Sequence, residues 1–141
     1  MIVNLNILEE LKTLSLSGTH PKVWIAAALV HRNKIISYGV NQMKTHPYQR
    51  KYGRNSEAIY WHAETSAIYI ASVRLGFAKF KNSTLYISRL KYDSPDKENL
   101  VSGIAKPCDG CMRCINDYGI KNVIYTLDKT DDSENFGIIT L

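Results

Sequence analysis

The chain is poor in cysteine, in proline and in long apolar runs, and each shortage removes a class of protein. Only three of its 141 residues are cysteine and four are proline. Cys108, Cys111 and Cys114 cannot build a disulfide framework, which excludes a small secreted scaffold held by staples. Their crowding into one short segment points instead to a metal site in a reducing compartment. The most apolar stretch, residues 23–30, is too short to span a bilayer and runs into His31, Arg32 and Asn33. No charged segment followed by an apolar core opens the chain, so a cytoplasmic protein with no membrane partner is expected. Repeats, low-complexity tracts and Pro-, Gly- or Ser-rich linkers are also missing, so residues 1–141 are expected to form a single domain.

What is present is ordinary globular material. Hydrophobic residues at 45% and charged residues at 22% suit a packed domain, and a chain of this length buries roughly 70% of its unfolded surface. Eighteen basic residues against thirteen acidic ones leave a formal charge of +5, which favours an anionic partner.

Periodicity divides the chain into alternating elements. Ile7, Leu8, Leu11 and Leu14 recur at helical spacing in residues 5–16, with Gly18 available as a stop. Residues 23–31 and 34–41 read as strands of an antiparallel hairpin turning at Arg32 and Asn33. Residues 42–61 show no period and contain Pro47 and Gly53, so they read as a long loop. A helix follows from Ala63 to Leu75, stopped by Gly76, then a strand over 84–90 and a second loop over 91–106. Pro107 suits the start of a helix reaching Gly119, and strands are expected over 122–127 and 136–141. This order predicts an α/β domain with helices on the sheet faces. The connection between the last two strands is too short for a parallel crossover, so they should pair antiparallel.

Cys108 and Cys111 fall in the first turn of a predicted helix, with both sulfurs on one side and with the helix N-terminus favouring thiolate. An iron–sulfur cluster lacks a fourth cysteine. Zinc held by two Cys and one His keeps a fourth position open for water, the catalytic arrangement; a purely structural zinc site is the competing reading. Among His20, His31, His46 and His62, only His62 opens a helix and has a carboxylate two residues on, Glu64, able to sit beside the metal and move protons. Cys114 lies one turn deeper and reads as a buried small residue.

Trp61-His62-Ala63-Glu64 followed by Pro107-Cys108-Asp109-Gly110-Cys111 resembles the H-x-E and P-C-x-x-C pattern of the zinc-dependent cytidine and deoxycytidylate deaminases. Ile35 to Asn41 resembles the family's second strand, ending in a substrate-binding Asn. Gly119 to Tyr125 resembles its fourth strand, closest to the deoxycytidylate branch. The resemblance covers residues from about 20 to 127. It implies a three-layer α/β/α fold around a central mixed five-stranded sheet, one Zn2+ per chain held by His62, Cys108 and Cys111, and Glu64 as the proton shuttle. It further implies that Asn41 contacts the sugar and that the Ala63 amide holds the polar edge of the base. The activity implied is hydrolytic deamination of cytosine to uracil with release of ammonia. Family members commonly form homo-oligomers.

The basic residues Lys44, Arg50, Lys51 and Arg54 fall between Asn41 and His62, where a loop at the mouth of the pocket can grip phosphate. One reading is a free-nucleotide deaminase converting dCMP to dUMP. A second is an enzyme acting on cytosine or adenine in single-stranded DNA or RNA, with Tyr48 or Tyr52 stacking on flanking bases. A third, an inactive nucleotide-binding zinc module, conflicts with the intact Glu64. Tyr60 and Trp61 are candidates for the pocket wall or, equally, for packing.

Overall fold

The structure, a computed structural model, describes residues 2–53, 60–76, 80–95, 97–128 and 136–141. Helix α1 (Leu5–Ser15) begins where the Asn4 side chain accepts the Asn6 amide at 3.1 Å, and its buried stripe is Ile7, Leu8 and Leu11. Strands β1 (Val23–His31) and β2 (Lys34–Val40) meet at Arg32 and Asn33, whose φ values of 51° and 62° make the left-handed pair of a tight hairpin. Then come α2 (Pro47–Tyr52), α3 (Ala63–Leu75), β3 (Ser83–Tyr92), β4 (Leu100–Gly103), α4 (Asp109–Asp117), β5 (Asn122–Thr126) and β6 (Phe136–Thr140).

The sheet order is β2-β1-β3-β5-β6, with β4 added on β3. Only β3 and β5 run parallel; the other pairs are antiparallel, including β5 with β6 as the short connection requires. Alternation along the central strands divides the core in two. Ala26, Ala28, Val30, Tyr86 and Ile124 face α1, and Ala27, Leu29, Leu85, Ile87 and Val123 face the side carrying α3 and α4. The result is the expected three-layer α/β/α arrangement.

Several details depart from the sequence reading. The sheet has six strands among the described residues, not five, because β3 runs on to Tyr92 and the four-residue β4 folds back on it, pairing Arg89 with Gly103. A strand of four residues that ends in glycine carries too little pattern to be recognised. The long loop contains α2, whose Pro47 is a helix-opening residue capped by the His46 side chain rather than a loop marker. Helix α4 opens at Asp109 with Cys108 as its cap, so Pro107 stands just outside it.

One buried hydroxyl stitches β3, β4 and β5 together. Thr126 Oγ1 accepts from the Arg89 amide at 3.1 Å and donates to the Gly103 carbonyl at 2.8 Å. We expect Thr126→Val, which keeps the shape but leaves both backbone groups unpaired, to cost about 1–3 kcal/mol, measured as a lower denaturation midpoint at unchanged m-value.

Candidate active site

Two helix starts converge here. His62 stands at the N-cap position of α3 and Cys108 at that of α4, and neither side chain caps its helix. Both are therefore free to face one another, and Cys111, one turn into α4, is fully buried beside them. The His62, Cys108 and Cys111 ligand atoms all lie within 4.8 Å of one another. Zinc–sulfur bonds of about 2.3 Å and zinc–nitrogen bonds of about 2.0–2.1 Å put tetrahedral neighbours roughly 3.5–3.8 Å apart. His62 Nδ1 lies 3.3 Å from Cys111 Sγ and 3.6 Å from Cys108 Sγ, so the donor set fits that ion in chemistry and in spacing.

The electrostatics agree. The hydrogen bond from Cys111, followed by that from His62, holds the Cys108 thiol down at about 3. The bond of Cys111 to Cys108, reinforced by burial, pushes the Cys111 thiol well up. The bond to Cys108 raises His62. Glu64, only 6% exposed, is raised by burial and lies within hydrogen-bonding reach of Cys111. Cys114 stays apart: burial first of all lifts it to about 12, its sulfur lies 3.4 Å from the Tyr48 hydroxyl, and it packs in the core as a thiol.

A cleft of about 360 Å³ opens beside this group, lined by His62, Ala63, Glu64 and Cys108 together with Asn41, Tyr60 and Trp61. The Asn41 carboxamide is pinned to β1, accepting from the Ile25 amide at 2.9 Å and donating to the Val23 carbonyl at 3.0 Å. Tyr48 and Tyr52 are not in the wall; they pack against each other between α2 and α4, with the Tyr52 hydroxyl on Asp117. Lys44, Arg50 and Lys51 do not line the cleft either. Folding of their segment into α2 turns Gln49 and Tyr52 inward and leaves Arg50 and Lys51 exposed, while Lys44 rests over the outside of the Trp61 ring. Glu57 in the same segment also offsets one of these charges, and Arg54 lies outside the described residues. The lysine and arginine that do border the cleft are Arg89 and Lys106.

Comparison with known proteins agrees with this geometry. The family described as the cytidine and deoxycytidylate deaminase zinc-binding region matches residues 4–127. The chain belongs to that family of zinc-dependent hydrolytic deaminases. No curated protein matches the sequence. Among solved structures, the cytidine deaminase from Burkholderia pseudomallei superposes with a TM-score of 0.61 at 15% identity, covering 99% of this chain and 93% of that one. The dCMP deaminase from the cyanophage S-TIM5 in apo form gives 0.54 at 18% identity, over 92% and 88%. The same enzyme in complex with dCMP and dUMP gives 0.51 at 16%, over 89% and 79%. These likenesses establish the fold. No helix among the described residues is long and apolar enough to cross a membrane.

Two residues that position the site escape a reading of the sequence. Gln49, 1% exposed, accepts the His62 amide at 3.1 Å through Oε1 and also takes the Thr65 hydroxyl. Helix α2 is too short to show the period that would mark Gln49 as inward-facing. Gly110 is the other: a Cβ there would stand 1.8 Å from the Tyr52 carbonyl oxygen, so α2 and α4 touch through backbone. We expect Gln49→Leu to keep the fold but weaken zinc binding about 10-fold, measured by chelator competition, because the His62 amide loses its partner.

Proposed function

We propose that the chain catalyses deamination of cytosine in a free deoxycytidine nucleotide, taking dCMP and water to dUMP and ammonia. The observation that carries this reading is the meeting of His62, Cys108 and Cys111 with the buried Glu64 carboxylate at one cleft of about 360 Å³, a volume suited to a single small ligand. The cyanophage enzyme of the same fold, seen with dCMP and dUMP, supports the nucleotide class.

His62, Cys108 and Cys111 hold the zinc ion, which when bound supplies a water acidic enough to act as nucleophile near neutral pH. As the water oxygen bonds to the amine-bearing ring carbon, Glu64 takes one of its protons and gives it to the adjacent ring nitrogen, and then carries the remaining hydroxyl proton to the exocyclic nitrogen. The carbon–nitrogen bond then breaks, ammonia leaves, and the water oxygen stays as the new carbonyl. Burial raises Glu64 above the usual carboxylate range, which suits a group that must both hold and release a proton within one turnover. The Ala63 amide, in the first turn of α3, donates to the polar edge of the base where the helix end favours negative charge. Asn41 contacts the sugar through the amide proton and lone pair that β1 does not use. Tyr60 and Trp61 flank the ligand. Cys108, Cys111 and Cys114 form no disulfide, which suits the reducing cytoplasm, and a homo-oligomer is the family's expectation.

The test is release of ammonia from dCMP, cytidine and a single-stranded DNA oligonucleotide by zinc-loaded wild type and by Glu64→Gln. We expect wild type to turn over dCMP best, and the variant to retain zinc and lose about 10³-fold in rate. Turnover of the oligonucleotide without dCMP would move the activity to a base within a strand. No ammonia above the variant's level would remove the enzymatic reading.

A further inference from the structure

Strand alternation places Arg89 in line with Leu85 and Ile87, on the face that α3 covers. The two apolar members of the row are fully buried in the core. Arg89 is the next step along, opposite Ile25, where the strand leaves the core and enters the cleft wall. Arg89 is half-buried there, with part of its guanidinium open to the cleft and able to meet an anion. Its Nε is buried without a hydrogen-bond partner, and its one hydrogen-bonded terminal nitrogen donates to the Ile104 carbonyl at 3.2 Å. No carboxylate among the described residues pairs with it. Asp128, whose charge Arg89 feels, is exposed, and its Oδ1 already takes Lys91 Nζ at 2.9 Å and the Ile104 amide at 3.1 Å.

The surroundings hold this arm in place. Its aliphatic part lies across Gly103, where an added Cβ would come within 3.1 Å of Cδ, so the side chain runs flat over β4. Thr126 fixes the Arg89 backbone from below. Lys106, exposed and on the same cleft, stands two residues before Cys108. His20, also in the wall, accepts the Lys22 and Val23 amides on Nδ1, which leaves its other ring nitrogen as a donor. Among the described lining residues Glu64 is the one carboxylate, and the deaminase reading reserves it for the base.

We infer that Arg89 and Lys106 hold the 5′-phosphate of the substrate, so that the cleft selects a nucleoside monophosphate over the free nucleoside. This rests on the deaminase reading for the identity of the base, and it replaces the loop cations as the phosphate grip. Arg89 supplies the planar fork suited to phosphate oxygens, and Lys106 supplies a mobile point charge at the rim.

Binding and turnover together test the assignment. Zinc-loaded Glu64→Gln protein is titrated calorimetrically with dCMP and with deoxycytidine, and the same is done with Arg89→Gln, Arg89→Lys or Lys106→Gln added. Each substitution is also made in active protein for kcat/KM on both compounds. We expect Arg89→Gln to weaken dCMP by about 30- to 100-fold and deoxycytidine by less than about 3-fold. Arg89→Lys, which keeps charge but not the fork, should lose about 10-fold on dCMP, and Lys106→Gln about 5-fold. Zinc content and near-UV circular dichroism establish that each variant is folded. Equal losses on both compounds would mean that Arg89 only supports β4, and would overturn the assignment. So would a dCMP-selective loss in Lys44→Gln/Arg50→Gln with none in Arg89→Gln. Selective binding of dCMP that depends on Arg89, without ammonia release by the active protein, would sustain the phosphate site while the deaminase reading failed. Ammonia release with no preference between the two compounds would do the reverse.

Discussion

The hydrogen bond from the His62 amide to the buried Gln49 side chain is the contact on which the site's geometry rests. His62 and Cys108 occupy helix-capping positions, where Ser, Thr, Asp or Asn would satisfy the first free amides and stabilise the helix by about 1 kcal/mol. Both forgo that role. At α3 the helix start is held from outside instead, because Gln49 reaches across from α2 and accepts the backbone amide of His62 itself. At α4 the same short helix presses its last turn against Gly110, and Arg113 returns the contact by donating to the Tyr52 and Gly53 carbonyls at 3.1 and 3.2 Å. Six residues thus set the distance between two helix starts, and that distance is the metal site.

Two helix N-termini facing one another bring two partial positive charges together, which favours anionic ligands but not without limit. Cys108, Cys111 and Glu64 would each be negative if ionised, and one imidazole cannot balance three charges. The three groups are accordingly shifted apart: Cys108 is favoured as thiolate, while Cys111 and Glu64 are pushed toward their neutral forms. A dication held by His62, Cys108 and Cys111 would reverse the balance for the thiols by favouring thiolate at both. Glu64, buried but not a member of the ligand group, is left as the one titrating carboxylate of the cleft. In the proposed reaction, the burial that makes a free carboxylate costly also suits Glu64 to carry protons both ways.

The parts of this arrangement that were legible in the sequence are those with a strong local period or a fixed spacing. The apolar stripe of α1, the hairpin at Arg32 and Asn33, the Gly76 stop after α3 and the two ligand motifs all declare themselves within a few residues. Helix α2 and β4 do not, because six and four residues hold too few turns or alternations to stand out from loop. The absence of Lys44, Arg50 and Lys51 from the cleft lining has the same origin. Sequence distance from Asn41 and His62 suggested the mouth of the pocket, but a single helical turn rotates Arg50 and Lys51 outward and buries Gln49 between them and α3. Arg89 carried a signal of another kind, a cation at the next alternate position after Leu85 and Ile87, which gains meaning only once that row is known to face α3.

The place of a charge therefore matters more here than its number. A net +5 describes an average field, whereas Lys106 lies on the segment that leads into Cys108 and Arg89, on β3, is hydrogen-bonded to that segment at Ile104. Arg89 bonds to Ile104, Thr126 ties Gly103 and Ala105 into the sheet edge, and three residues later the chain reaches Cys108. An anion held by Arg89 and Lys106 would be tied to Cys108 through Lys106 directly and through the Arg89–Ile104 bond. The free energy of gripping a phosphate far from the reacting carbon is then spent on registering the base against Glu64, which raises the rate for a phosphorylated substrate as well as its affinity. On that argument the extra β3–β4 hairpin and the metal site function as one unit, with the phosphate at one end and the reacting ring at the other.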